Sequence, residues 1–121
     1  MILIEQKIIS LSLELPIAAA PVANYVPYVI TNKLVFISGQ LPMQNGKLIY
    51  CGKIEEDISI EDGKKAAELC ILNILAQLKA AAGTLDKVKR CIKLTGFVNS
   101  KSGFAAHPQI MNGASDLLED F

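Results

Sequence analysis

Residues 25–42, YVPYVITNKLVFISGQLP, constrain this chain more than any other stretch. Two runs rich in Val, Ile, Tyr and Phe flank a polar break at Thr31, Asn32 and Lys33. Such residues suit a half-buried pleated surface, so strands are expected over about 25–30 and 33–38. Asn32 can take the positive φ that the connecting turn needs. The second run ends in Ser38-Gly39-Gln40, which offers a hydroxyl, a side-chain amide and unhindered backbone donors. A small polar ligand is recognised by a few convergent groups of this kind. The rest of the chain has to pack against this hairpin or complete the pocket at its end.

At 121 residues, half of them apolar, the chain is read as one domain, 1–121, able to bury a real core. Its twelve basic and twelve acidic residues cancel. That balance argues against nucleic acid as a partner, since phosphate affinity comes from clustered Lys and Arg. Arg90 is the sole arginine, so planar clamping of a carboxylate has one candidate at most. Cys51, Cys70 and Cys91 are odd in number and widely spaced, which points to free thiols in a reduced cytoplasm. Together with a single His they make no metal-ligand set, so no metal is expected. The apolar N-terminus, MILIEQKIISLSLEL, is interrupted by Glu5, Gln6, Lys7 and Glu14 and has no basic segment before it. It is therefore not read as a signal peptide, and no run reaches the roughly 18 apolar residues of a membrane span. The expectation is a soluble cytoplasmic protein.

Apolar spacing predicts a helix over residues 3–14, stopped before Pro16, as an N-terminal extension spanning 1–15. Residues 16–23, with two prolines, read as a linker. Asn45-Gly46 signals a tight turn, with a short strand following at 47–50. Ser59 fits the cap of a long helix running to about Ala82, with Gly83 as its stop. Ala67, Cys70, Ile71, Ile74, Leu78 and Ala81 line one face of it. Residues 90–98, RCIKLTGFV, predict a third strand, with Ile92, Leu94 and Val98 on one side. Asn99 to Gly103 reads as a loop. Pro108 then suits the first turn of a last helix, 108–120, whose stripe is Ile110, Met111, Ala114, Leu117 and Leu118.

In this order, the elements resemble the RidA family (YjgF-like, formerly L-PSP endoribonuclease). NYVPYVITNKLVFISGQLP looks like that family's signature hairpin, in register along its length without a gap. KKAAELCILNILAQLKAAAG is similar to its long helix, LDKVKRCIKLTGFV to its next strand, and FAAHPQIMNGASDLL to the start of its second helix. The resemblance covers about residues 20–120, and the N-terminal helix suggests a branch with an extra element there. It implies a chorismate-mutase-like α+β fold, with a mixed sheet packed against two helices. It also implies a homotrimer with pockets between subunits. Studied members hydrolyse 2-imino acids to 2-keto acids and ammonia without metal or cofactor. A small 2-imino or 2-keto acid is therefore the implied partner.

Carried over residue by residue, the resemblance places Tyr25 and Ser38 as catalytic residues, with Gly39, Gln40 and Asn112 as substrate-binding groups. A Tyr phenol is protonated at neutral pH and would donate to an imine nitrogen or position a water. The competing reading for Tyr25 is a strand aromatic packed in the core. Ser38 would bind a carboxylate through its hydroxyl; it is a poor nucleophile, since no His lies in a motif to serve as its base. Asn112 has both donor and acceptor and would sit at the rim, or else cap a neighbour. Asn99 and Ser100 are weaker rim candidates, and His107 reads as a loop or N-cap residue. Phe97, Phe104 and Cys91 are expected to pack, and Cys70 to lie in the core.

The family's pattern continues with an Arg that holds the carboxylate and a last strand bearing a Glu that orients water. The chain stops before both, and Arg90 at the base of the third strand cannot replace that Arg. The expectation is a C-terminally shortened member with weakened deaminase activity and altered packing where the last strand would run. The alternative is a non-catalytic or degenerate member that binds a small carboxylic acid. A ribonuclease reading is disfavoured by the zero net charge, one His and one Arg.

Overall fold

The computed structural model of the chain describes residues 4–18 and 24–119. The elements run α1 (Ile4–Ser10), β1 (Tyr28–Thr31), β2 (Leu34–Ile37), β3 (Met43–Gln44), β4 (Lys47–Leu48), α2 (Ile60–Ala82) and α3 (His107–Glu119), with a short 3-10 turn at Leu85–Lys87. Most of the expected linker, residues 19–23, lies outside the described residues.

Local chemistry sets most boundaries. β1 and β2 pair antiparallel, with Tyr28 opposite Ile37 and Thr31 opposite Leu34, and Asn32 takes φ 53° in the turn. Asn45 and Gly46 both have positive φ, 53° and 77°, which joins β3 to β4 by a turn whose twist suits the hairpin. The Ser59 side chain caps α2 by accepting from the Asp62 amide at 3.1 Å. At the other end Gly83 has φ 85° and its amide reaches the Lys79 carbonyl. Glu61 and Asp62 occupy the first turn, where the helix dipole favours them.

The first helix is shorter than its apolar spacing predicts. Ser12 takes φ 57°, its amide donates to the Ile9 carbonyl, and the Leu13 amide reaches back to the Ile8 carbonyl at 3.1 Å. That pair of bonds closes a helix in a Schellman motif, with Ser in the position usually held by Gly. Leu13 is thereby turned onto the core beside Ile8.

The expected third strand at 90–98 does not form. No strand is present between the 3-10 turn and α3; a single bridge joins Ser100 to Ile54. Two antiparallel pairs, β1–β2 and β3–β4, therefore stand in place of one continuous mixed sheet. Cys91 and Phe97, expected to pack on that strand, are both exposed, Phe97 to 96%. A strand is stabilised by the neighbour it pairs with, and among the described residues this run has none.

α2 is the centre of the molecule. It touches β1, β2 and β3 on one side and α3 on another. Ile71 and Leu75 join Ile8, Leu85 and Ala114 in the core, with Leu85 and Ile71 almost fully buried. α2 and α3 approach so closely that side chains would not fit. A Cβ on Gly113 would lie 2.3 Å from the Lys64 carbonyl oxygen. One on Gly63 would meet Ile110 Cδ1 at 2.7 Å and Ile54 Cδ1 at 2.8 Å.

α1 is latched to the far end of α2. Lys79 Nζ lies 2.6 Å from Glu5 Oε1, and the Thr84 hydroxyl donates to the other carboxylate oxygen. Lys79, and then Thr84, hold the Glu5 carboxyl below its ordinary value of 4.5.

Two outcomes follow from this packing. Gly113→Ala presses a methyl onto backbone that cannot rotate away, so urea unfolding should show a loss of about 2–3 kcal/mol. Gly39→Ala, with nothing within 4 Å, should stay within about 0.5 kcal/mol. Because the folded-state pKa of Glu5 is depressed, its contribution is full above the unfolded value and is lost as pH falls through the folded one. Glu5→Gln should thus lower Tm at neutral pH, and the gap to wild type should close as pH drops below about 4.5.

Candidate functional site

The hairpin brings Tyr25 and Ser38 to the same end of the sheet. The Ser38 amide donates to the Pro27 carbonyl at 3.0 Å, which extends the β1–β2 pairing by one step. Its hydroxyl lies 2.9 Å from the Pro27 carbonyl oxygen and 3.2 Å from that of Val26. The one hydroxyl proton is shared between these two acceptors, so what Ser38 presents outward is its lone pairs. Tyr25, next to Val26, is about half exposed.

The turn after Ser38 is braced from both sides. Gln40 Nε2 donates to the Ser38 carbonyl at 3.1 Å. Asn73 then pins the following loop to α2: its Nδ2 donates to the carbonyls of Leu41 at 3.2 Å, Met43 at 2.9 Å and Leu69 at 3.0 Å. Asn73 is buried, and a buried amide with its donors satisfied fixes a loop far better than apolar contact does. Sequence reading passed over this residue. The signal was present as a lone Asn at the middle of an apolar helix stretch, CILNILAQL.

With the turn held this way, the Gly39 and Gln40 amides have no acceptor among the described residues. Gly39 is exposed, and no atom lies within 4 Å of where its Cβ would be. Each of these amides is left free to donate to a ligand oxygen beside the Ser38 hydroxyl. No Lys or Arg side chain bonds to Ser38, Gly39 or Gln40 among the described residues.

Asn112 lies exposed on α3, and its side chain makes no hydrogen bond to the turn or elsewhere among the described residues. A cavity lined by Pro16, Ile17, Met43, Asn45, Gly46 and Asn73 includes none of the five predicted site residues. At Gly39 the predicted site is an open floor, with nothing within 4 Å of the Cβ position among the described residues.

A second polar pair appears at the start of α3. Ser100 Oγ lies 3.5 Å from His107 Nε2, and the His107 ring meets Phe104 edge-on at 5.1 Å. No carboxylate or carbonyl orients the imidazole among the described residues, so the pair lacks the third member of a nucleophilic triad. Burial pushes the Cys70 thiol up to about 11, which leaves it an inert core group. No group of three or more His, Cys, Asp or Glu side chains suited to a metal ion, and no helix long and apolar enough to cross a membrane, occurs among the described residues.

Comparison with known proteins agrees with the order of these elements. Residues 5–121 match the family model described as "YjgF/chorismate_mutase-like, putative endoribonuclease". Protein TCP17 of Trypanosoma cruzi is 42% identical over 108 residues, covering 89% of this chain and 68% of that protein. A crystal structure from Shewanella oneidensis MR-1, described as a putative endoribonuclease, superposes with a TM-score of 0.93 at 40% identity, over 96% of this chain and 77% of the other. Atu1372 from Agrobacterium tumefaciens, a protein of unknown function, gives 0.86 at 45% identity, over 95% and 71%. Hairpin, long helix and second helix therefore carry one fold as well as one sequence pattern, and the chain belongs to the YjgF/chorismate-mutase-like family.

Proposed function

We propose that this protein binds small 2-imino or 2-keto acids at the Ser38–Gln40 turn and promotes hydrolysis of the imine. The observation that carries this reading is the pair of unpaired amides at Gly39 and Gln40 beside an immobilised Ser38. The amides receive the substrate carboxylate. The Ser38 oxygen accepts from the imine N–H or from water, and the Tyr25 phenol donates to the nitrogen as it leaves. Water adds to C2 and gives one proton to the nitrogen; its second proton returns to the Tyr25 oxygen as the phenol proton goes to nitrogen, the C–N bond breaks, and the products are a 2-keto acid and ammonia. Backbone amides are neutral donors and bind a carboxylate more weakly than a bidentate Arg does.

The floor needs a wall, and a second copy supplies it in this reading. Val29 and Phe36 are paired across β1 and β2 and both are exposed, which leaves an apolar outer face on the hairpin. A homotrimer burying that face would close the site between subunits, with Asn112 at its rim.

In the test, threonine dehydratase generates 2-iminobutanoate in the presence of the protein, and 2-ketobutyrate release is followed. The expected result is release faster than the no-protein blank. Gly39→Pro removes one amide donor and should raise KM about tenfold or more, with a smaller change in kcat. A rate equal to the blank, together with no binding of 2-ketobutyrate, would overturn the proposal. Binding without turnover would leave a carboxylic-acid binder, the second reading that the open floor favours.

A further inference from the structure

We infer that the cavity between Pro16–Ile17, the β3–β4 turn and α2 binds a small neutral molecule with an apolar ring body and one N–H or O–H donor. The cavity measures about 230 Å³ and is lined by Pro16, Ile17, Met43, Asn45, Gly46 and Asn73. It shares no residue with the Ser38–Gln40 turn. An apolar cavity of about 150 Å³ holds benzene, so this one has room for a substituted ring or two small fused rings.

The need for a donor comes from Asn73, which is only 7% exposed. Its Nδ2 faces three carbonyl oxygens, those of Leu41, Met43 and Leu69. Carbonyls only accept, so these partners fix which end of the amide is nitrogen and leave Oδ1 on the other side. That oxygen has no hydrogen-bond partner among the described residues. No fully buried side-chain oxygen or nitrogen among them lacks a partner, so Oδ1 is not sealed in, and the open space that Asn73 borders is this cavity. An acceptor so nearly buried gains from any ligand that brings it a donor.

The rest of the lining sets the other requirements. It holds no charged side chain, so an ion would lose its water there without gaining a counter-charge. It is more apolar than polar, with Pro16, Ile17 and Met43 as its apolar members. Such a wall is wetted poorly by water and is better filled by a ring. The turn that forms one side is fixed by the positive φ of Asn45 and Gly46, and Asn73 bonds the Met43 carbonyl at its start at 2.9 Å. The same side chain thus supplies the acceptor and holds the wall, and a site already ordered loses less entropy on binding. These demands are the reverse of those at the Ser38–Gln40 turn, which offers donors; here the protein accepts.

The test uses the full chain and indole, which has two fused rings, one N–H and no charge. The chain contains no Trp, so indole fluorescence can be followed without one in the protein. Saturable binding is expected, with NMR shifts at the Asn73 side-chain NH2 and at the Asn45 and Gly46 amides. Benzofuran has the same shape without the donor and should bind about tenfold more weakly. Ile17→Asp, at a position 94% exposed, puts a charge on the wall, and should weaken indole about fivefold or more while circular dichroism stays unchanged. 2-Ketobutyrate, an anion with no donor for Oδ1, should leave indole binding as it was. The inference is overturned by no saturable binding, by equal binding of benzofuran, or by Ile17→Asp having no effect. It is also overturned if 2-ketobutyrate displaces indole, or if the shifts fall on Val29 and Phe36 of the hairpin face in place of the cavity.

Discussion

The contact on which the rest depends is the crossing of α2 and α3 at Gly63 and Gly113. The missing Cβ of Gly113 lets the α3 backbone lie against the Lys64 carbonyl, and the missing Cβ of Gly63 makes room for Ile110 and Ile54. Ile54 then does two jobs. Its side chain fills the space above Gly63, and its backbone groups bond to Asn99 and Lys101. One close approach thereby sets the helix pair, the loop before α2 and the end of the 89–98 run. Larger residues would push these three parts away from one another, because interiors packed to crystal density have no slack to absorb a methyl.

From that anchored helix pair, order spreads unevenly. Helices satisfy their own backbone, and the ends of α2 are completed by Ser59 and Gly83. The β part satisfies much less: two short antiparallel pairs, a free turn at Gly39–Gln40 and an unpaired run at 89–98. Exposed backbone is tolerable in water and is also the surface on which a ligand finds partners. Asn73 fixes the open turn to the helical layer, and Leu94 does the same for residues 89–98.

How much of this was legible in the sequence follows from whether a feature is local. Asn32, Asn45-Gly46, Ser59 and Gly83 each announce a backbone conformation that their own chemistry favours, and each holds in the structure. The fold and the family were likewise readable, since hairpin and helices come in a fixed order. What failed was mostly non-local, the early end of α1 excepted. RCIKLTGFV has strand composition, yet a strand exists only with a neighbour, so Cys91 and Phe97 ended in solvent. Ser12 ended α1 early because a Schellman closure outcompeted further apolar spacing. Asn73 stayed silent because only the folded loop reveals that three carbonyls converge on it. Of the candidate site, the hairpin register already put Tyr25 and Ser38 at one end of the strand pair, whereas Asn112 on α3 has no hydrogen bond that joins it to that end among the described residues.

Ser38 shows how geometry changes a role that residue type alone suggests. A serine in a polar turn reads as a donor to a substrate carboxylate. Here its proton is directed at the Val26 and Pro27 carbonyls, so as a donor it serves the protein itself. The same bonds stop the hydroxyl from rotating and aim its lone pairs outward, and they tie the end of β2 to the residues just after Tyr25. In the proposed reading, donation to an anion falls to the Gly39 and Gln40 amides, in a turn braced by the Gln40 side chain and, one loop further, by Asn73. Amides carry no titrating proton, so these proposed donors keep the same character across pH. The proton traffic of the proposed hydrolysis is left to water and Tyr25, and the turn contributes position.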